Sequence, residues 1–324
     1  MKNSIIYSLV ILTLLISGCK SNKKDNSTLI SVTLRQEWFA NASYFGEVMA
    51  INETDSINGL DIELIEGAED IDPLKMVISG QNDFGVAGAD RLFEANEKGA
   101  DLVVIGVVNH INPTCFISLK EVPLNNPKDF EGRKVGVFTG NNTEIIYRLL
   151  MKKANVDISK IAEIEAPFDL NTFITKNYAV RPAYIFDETV SLDLQNIEYN
   201  ILKPQDFGVT FVGNVYFTSK DMVENNPDTV RKFVKAITEG WEATYKDVNK
   251  AAKYLKQYSN GINIEREIKS FNNGKEYFRN ADGRVLFSDF KNWEMMEKDL
   301  KDLGKIKSSS YKNFVNYSFL NNNE

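Results

Sequence analysis

One histidine, His110 in the stretch NHINP, and two cysteines, Cys19 and Cys115, are the whole imidazole and thiol inventory of this 324-residue chain. A Ser-His-Asp triad would have to be built on His110, and no G-x-S-x-G elbow accompanies it. The counts exclude a cysteine-rich zinc site, a disulfide framework and a multi-histidine metal centre. Neither a Walker A loop nor a dinucleotide fingerprint is present. His110 is therefore read as a structural, pocket or hinge residue, and Cys115, in the run TCFISL, as a small buried apolar side chain. No catalytic residue, metal or cofactor is assigned.

What remains for chemistry is a set of rings, amides and carboxylates at the ends of strand-like runs. The loop RQEWFANASYFGEVMA groups Glu37, Trp38, Asn41 and Tyr44, and AGAD adds Asp90 behind the small residues Ala87, Gly88 and Ala89. The segment TGNNTE sets Asn141 after Gly140 at a helix start whose backbone N–H groups can face an acceptor. AYIFDE supplies Tyr184, Asp187 and Glu188, and FVGNVYFTS supplies Asn214. Aromatic faces offer contact area at low entropic cost, while amides and carboxylates give directional hydrogen bonds. Trp38 also has a reading as a packed core ring, and Asp90 one as a helix cap. Carboxylate pairs can do acid–base catalysis, but with no nucleophile, metal or histidine beside them their plainer use is to accept hydrogen bonds from a ligand. Such a pocket disfavours anions and favours neutral or cationic molecules rich in N–H donors.

The elements that must position these groups follow from hydrophobic periodicity. From Leu29 the chain alternates short apolar runs (LISVTL, LDIELIEG, DFGVAG, LVVIGVV) with helical segments, one of them starting near Ser43. That rhythm predicts parallel βαβ units in an open α/β sheet covered on both faces, with ligands bound beyond the carboxyl ends of the strands. Gly59, Gly80 and Gly99 stand where helices should end. A second α/β unit begins after Pro113 with FISLKE and KVGVFTG. There, Asn141 followed by Glu144 predicts a capping-box-like helix start with Ile145, Ile146, Leu149, Leu150 and Ala154 facing inward. After Asn214 helices take over. Asn226 and Pro227 predict an N-cap and first turn, followed by an apolar face of Val230, Phe233, Val234, Ile237, Trp241 and Tyr245. A second helix carries Ala251, Ala252, Leu255 and Tyr258, and a third carries a core stripe of Phe290, Trp293, Leu300 and Leu303.

The chain has 38 basic and 45 acidic side chains and a net charge of −7, which argues against a nucleic-acid partner. At 43% hydrophobic and 26% charged it has the composition of a cored globular protein of about two domains. Lys2, the apolar stretch from Ile5 to Ile16 and the ending LISGC read as a secretory signal over residues 1–18. Leu15, Ser17, Gly18 and Cys19 resemble the bacterial lipobox, which implies acylation of Cys19. Residues 19–28 follow as a flexible tether, so the body is expected outside the cytoplasm on a lipid anchor.

The pieces EWFANASYFGEVMA, GLDIELIEG, VISGQNDFGVAGAD, DFEGRKVGV, AYIFDE and FGVTFVGNVYFTSKDMVENNPDTVRKFVKAITEGWEAT together resemble the periplasmic solute-binding proteins of the thiamine-pyrimidine and alkanesulfonate group. The resemblance implies a type II fold, two open α/β sheets joined by a two-strand hinge, with the C-terminal helices packed on lobe 1. Residues 29–113 and 210–324 would form lobe 1 and residues 114–209 lobe 2. It further implies a monomer that is no enzyme and that closes on a small molecule and hands it to an ABC permease with its ATPase. The nearest branch contains formylaminopyrimidine binders and eukaryotic thiamine-pyrimidine synthase. Its acidic-Trp-x-Pro-Asn loop followed by His matches at Glu37, Trp38 and Asn41, but Ala40 replaces the proline and Tyr44 the histidine. By this resemblance Trp38 stacks on the ligand ring and Glu188 accepts from its amino group. The synthase's cofactor lysine and sacrificed histidine fall on Ala87 and Arg91, and its cysteine-rich stretch falls on GVTFVG, so a binder is expected. Riboflavin and then sulfonate are the alternative ligands, and a sensor module is the alternative role.

Overall fold

A computed structural model describes residues 29–167 and 169–320. The signal-like segment, Cys19 and the tether lie outside the described residues. The strands are β1 (Ile30–Arg35), β2 (Leu60–Ile65), β3 (Phe84–Gly88), β4 (Leu102–Val107), β5 (Thr114–Leu119), β6 (Lys134–Val137), β7 (Ala162–Glu165), β8 (Arg181–Tyr184), β9 (Tyr199–Leu202) and β10 (Asn214–Ser219). One sheet has the order β2-β1-β3-β10-β4. Every residue of β3, a central strand, is buried, and so is every residue of the edge strand β4, whose outer side is covered by the C-terminal segment through Val104 N to Phe314 O (2.8 Å) and Asn316 N to Val104 O (2.9 Å). β5, β8 and β9 form a second sheet in the order β8-β5-β9, and β6 pairs with β7. Backbone bonds from Gly136 N to Val180 O (2.8 Å) and from Ala179 N to Lys134 O (2.8 Å) join these two pieces. The second lobe therefore repeats the first, as β7-β6-β8-β5-β9.

The βαβ rhythm predicts parallel strands, but neither sheet is all parallel. β10 runs antiparallel to β3 and β4, and β5 runs antiparallel to β8 and β9. The reason is connectivity. Each of these strands enters its sheet from the other lobe, so it starts at the inter-lobe end, where the parallel strands finish. The two connections, residues 108–113 and 208–213, lie side by side through Asn112 N to Phe211 O (2.7 Å) and Gly213 N to Asn109 O (3.1 Å). A Cβ on Gly213 would stand 2.6 Å from that of Asn109, so the close approach requires glycine.

Helix Pro227–Lys246 forms as the periodicity predicts and buries Val230, Phe233, Val234, Ile237 and Trp241. Asn226, however, makes no side-chain cap; its N–H closes the preceding helix Lys220–Asn225 by donating to Met222 O at 2.9 Å. Asn141 does cap helix Asn142–Lys153, while Glu144 reaches back to Gly140 N (2.8 Å) rather than to the cap residue's own N–H. Helix Phe290–Asp302 packs Trp293 near Phe93 and Phe314 of the first lobe's core. Phe290, predicted in that stripe, is 49% exposed because it stands in the first turn and leans on Tyr311 and Tyr317 instead. Helix Ile264–Phe278, capped by Asn263, is an element that the sequence reading lacks.

Candidate functional site

The carboxyl ends of β1, β3, β6 and β8 converge on a cavity of about 770 Å³ between the lobes. Ten of the predicted ligand residues line it: Glu37, Trp38, Asn41, Tyr44, Asp90, Asn141, Tyr184, Asp187, Glu188 and Asn214. His110 does not. It lies on the first inter-lobe connection, where its Nε2 donates to the carbonyl of Glu276 at 2.8 Å and its backbone N–H donates to Tyr277 O at 2.9 Å. A carbonyl can only accept, so the ring proton sits on Nε2. Burial lowers the pKa of this imidazole, which holds it neutral against helix 264–278.

The first-lobe wall is built on the loop after β1. Tyr44 is buried, and its hydroxyl accepts from the backbone N–H of Trp38 at 2.9 Å, fixing the turn that presents the tryptophan. Trp38 is 38% exposed, so part of its ring surface is open to a ligand. Asn41 spends its side chain on the loop itself, accepting from Ser43 N (2.8 Å) and donating to Phe39 O (2.9 Å). Glu37 accepts from Gly88 N (3.3 Å) and from Arg91 (3.4 Å), and Arg91 is also held by Asp72 at 2.6 Å. Desolvation raises the pKa of Glu37 despite the arginine. Asp90 is pushed up to about 7, first by burial and then by the charge of Glu37. Gly88 makes room for the Asp90 carboxyl: a Cβ there would stand 2.6 Å from Asp90 Oδ1.

The second-lobe wall comes from the ends of β6 and β8. Glu188 accepts from Tyr184 N at 2.7 Å and from the fully buried Arg181 at 3.5 Å. Its pKa is pushed up to about 7, first by burial and next by neighbouring Asp187, against the pull of Arg181. The Tyr184 hydroxyl accepts from Asn142 Nδ2 at 3.3 Å, its ring meets that of buried Phe186 edge-on at 6.0 Å, and buried Phe138 lines the same cavity. Asp187 turns away to an ion pair with Arg266 across the cleft. Arg266, Glu267 and Ser270 therefore complete the wall from helix 264–278. Sequence reading missed them with their helix, although Asn263 followed by Ile264, Ile268 and Phe271 is a usable signal. Acidic side chains outnumber basic ones around the cavity, and each lining arginine is paired with carboxylates. Among the described residues no group of three or more His, Cys, Asp or Glu could hold a metal ion. The arrangement offers a ligand the partly exposed rings of Trp38 and Tyr184 and hydrogen-bond acceptors from both lobes.

This geometry has parallels. The chain is 25% identical over 175 residues, 52% of its length, to the riboflavin-binding protein RibY of Chloroflexus aurantiacus, and the match spans about half (48%) of that relative. Its fold is similar to the periplasmic aliphatic sulphonate binding protein SsuA of Escherichia coli, with a TM-score of 0.69 at 17% identity over 87% of this chain and 91% of the other. It is also similar to the desulfurization enzyme DSZB, with a TM-score of 0.65 at 10% identity over 90% and 98% of the two chains. The two-lobed fold is thus that of periplasmic binding proteins, a fold that serves an enzyme as well. Residues 56–251, more than half of the chain, match the model of the family described as NMT1/THI5 like, and the protein belongs to that family.

Proposed function

We propose that the protein is the solute-binding component of an ABC importer, a lipid-anchored extracytoplasmic monomer that closes over a small planar nitrogen heterocycle. The observation that carries this reading is the inter-lobe cavity itself. It sets buried carboxylates from both lobes, Glu37 and Asp90 facing Glu188, among aromatic walls. Groups so placed accept hydrogen bonds from N–H donors, and among the described residues carboxylates outnumber the lining cations, the paired Arg91 and Arg266 and the single lysine Lys305, which disfavours a sulfonate. The division into lobe 1 (29–113 and 210–324) and lobe 2 (114–209), and acylation at Cys19, belong to the same proposal. Among the described residues no helix is long and apolar enough to cross a membrane.

An aminopyrimidine of the thiamine-precursor class suits the pairing of a ring on Trp38 with an amino group on Glu188. Riboflavin is the second reading. It is favoured by the volume of about 770 Å³, generous for a single ring, and by what the Chloroflexus relative is named for. In either case ligand bridges the lobes, stabilises the closed state by its differential affinity, and is passed unchanged to the permease with its ATPase. Calorimetry tests the site. Trp38→Ala should cost about 2–4 kcal/mol of binding, from lost buried area and stacking. Glu188→Gln should weaken an aminopyrimidine more than riboflavin. Unchanged affinity in the tryptophan variant would remove this pocket from the account, and equal losses for both ligands would remove the amino contact.

A further inference from the structure

Two buried polar atoms of the cavity wall have no hydrogen-bond partner among the described residues. Thr143 is 5% exposed and its Oγ1 is unpartnered. Asn142 commits its Nδ2 to the Tyr184 hydroxyl, which leaves its buried Oδ1 as an unused acceptor. Both residues line the cavity, and a buried hydroxyl or amide oxygen left unpaired has a cost that a ligand group can remove.

These atoms stand in the first turn of helix Asn142–Lys153, a place where free N–H groups and the helix dipole ordinarily attract anions. Here the protein's own oxygens take these donors except the Asn142 N–H. Asn141 Oδ1 accepts from Thr143 N (3.2 Å) and its carbonyl accepts from Glu144 N (3.0 Å). Glu144 accepts from Gly140 N at 2.8 Å, and Glu165 accepts from both the N–H and the hydroxyl of Thr139. Glu144 also pairs with Arg148 at 3.2 Å, so it is held in place. Glu144 and Glu165 line the cavity as well. An incoming phosphate or sulfonate would have to displace one carboxylate and stand beside the other. A hydroxyl, in contrast, can donate to Asn142 Oδ1 and accept from Thr143 Oγ1.

We infer that this helix start is a second ligand subsite, formed by Asn142 and Thr143, that takes an uncharged hydroxyl or N–H group and is closed to anions by Glu144 and Glu165. Resting on the heterocycle reading above, it narrows the substrate class to the free, hydroxyl-bearing heterocycle and excludes its phosphate ester.

Calorimetry with riboflavin against flavin mononucleotide, and with hydroxymethyl aminopyrimidine against its phosphate, tests this. The wild type should favour the free compound by about tenfold or more, and the Glu144→Gln/Glu165→Gln double variant should shrink that ratio. Thr143→Val should weaken the free compound about tenfold, while Thr143→Ser, which keeps the hydroxyl, should not. An ester that binds the wild type as well as the free compound would overturn the inference. So would an undiminished ratio in the double variant, or full affinity in the valine variant. If neither pair binds, the heterocycle reading fails and inorganic phosphate decides the subsite. No thermal stabilisation of the wild type beyond a chloride control, with a gain in the double variant, supports closure to anions. Saturable stabilisation of the wild type, or no gain in the double variant, refutes it.

Discussion

Glu47 illustrates how one side chain can shape the behaviour of the whole lobe. It is fully buried, its Oε1 accepts from the Tyr216 hydroxyl at 2.6 Å, and that hydroxyl accepts from Trp241 Nε1 at 2.9 Å. Its Oε2 has no partner among the described residues, and burial pushes its pKa up to about 8 from an ordinary 4.5. Below the ordinary value both folded and unfolded chains hold the proton. Between 4.5 and about 8 only the folded chain does, so stability falls as pH rises through that window and levels above it. The slope is at most about 1.4 kcal/mol per pH unit. Glu47→Gln should flatten that loss, so urea melts of wild type and variant should converge at acid pH and diverge in the variant's favour by pH 8.5. Parallel pH profiles would contradict a protonated Glu47. At this scale the sequence was readable where a residue's type and its strand-end position coincide, as at Glu37, Trp38 and Glu188. It was silent on Asn142 and Thr143, whose importance comes from which atoms are left unpaired in three dimensions.

Elements are fixed here by close backbone contacts as much as by apolar stripes. Helix 227–246 lies on helix Phe45–Met49 so tightly that a Cβ on Gly240 would stand 2.2 Å from Gly46 O. Gly240→Ala should therefore lower stability by about 1–3 kcal/mol despite alanine's better helix propensity. A melting temperature equal to or above wild type would show that the contact is not tight. Helix 264–278 shows why an element can hide from periodicity. Gly274 and the polar run around it depress its local signal, yet a Cβ at Gly274 would meet Phe186 at 2.4 Å, so packing across the lobes demands the residue that propensity disfavours. The same helix ties lobe to lobe through Arg266 to Asp187 and Lys269 to Asp193 (3.2 Å). Arg266→Ala should thus loosen the closed form. Small-angle scattering of the ligand-free variant should report a larger radius of gyration, and an unchanged radius would mean that these pairs do not hold the lobes together.

For the whole molecule, the alternation of strands and helices was legible because each βαβ step is local. The antiparallel placement of β5 and β10 was not, since it depends on which lobe the chain comes from and not on any residue within the strand. That crossing places a pocket between two similar sheets, and the pocket's character follows from its lining: aromatic and acidic, with both bordering arginines paired to carboxylates and Lys305 as the one further cation among the described lining residues. The central claim is that a neutral planar nitrogen heterocycle, and not a sulfonate, closes these lobes. Equilibrium calorimetry of the wild-type protein with an aminopyrimidine, riboflavin and an alkanesulfonate at equal ionic strength tests it most directly. One of the two heterocycles should titrate saturably at one site while the sulfonate gives no heat of binding. Saturable sulfonate binding with both heterocycles silent would contradict it.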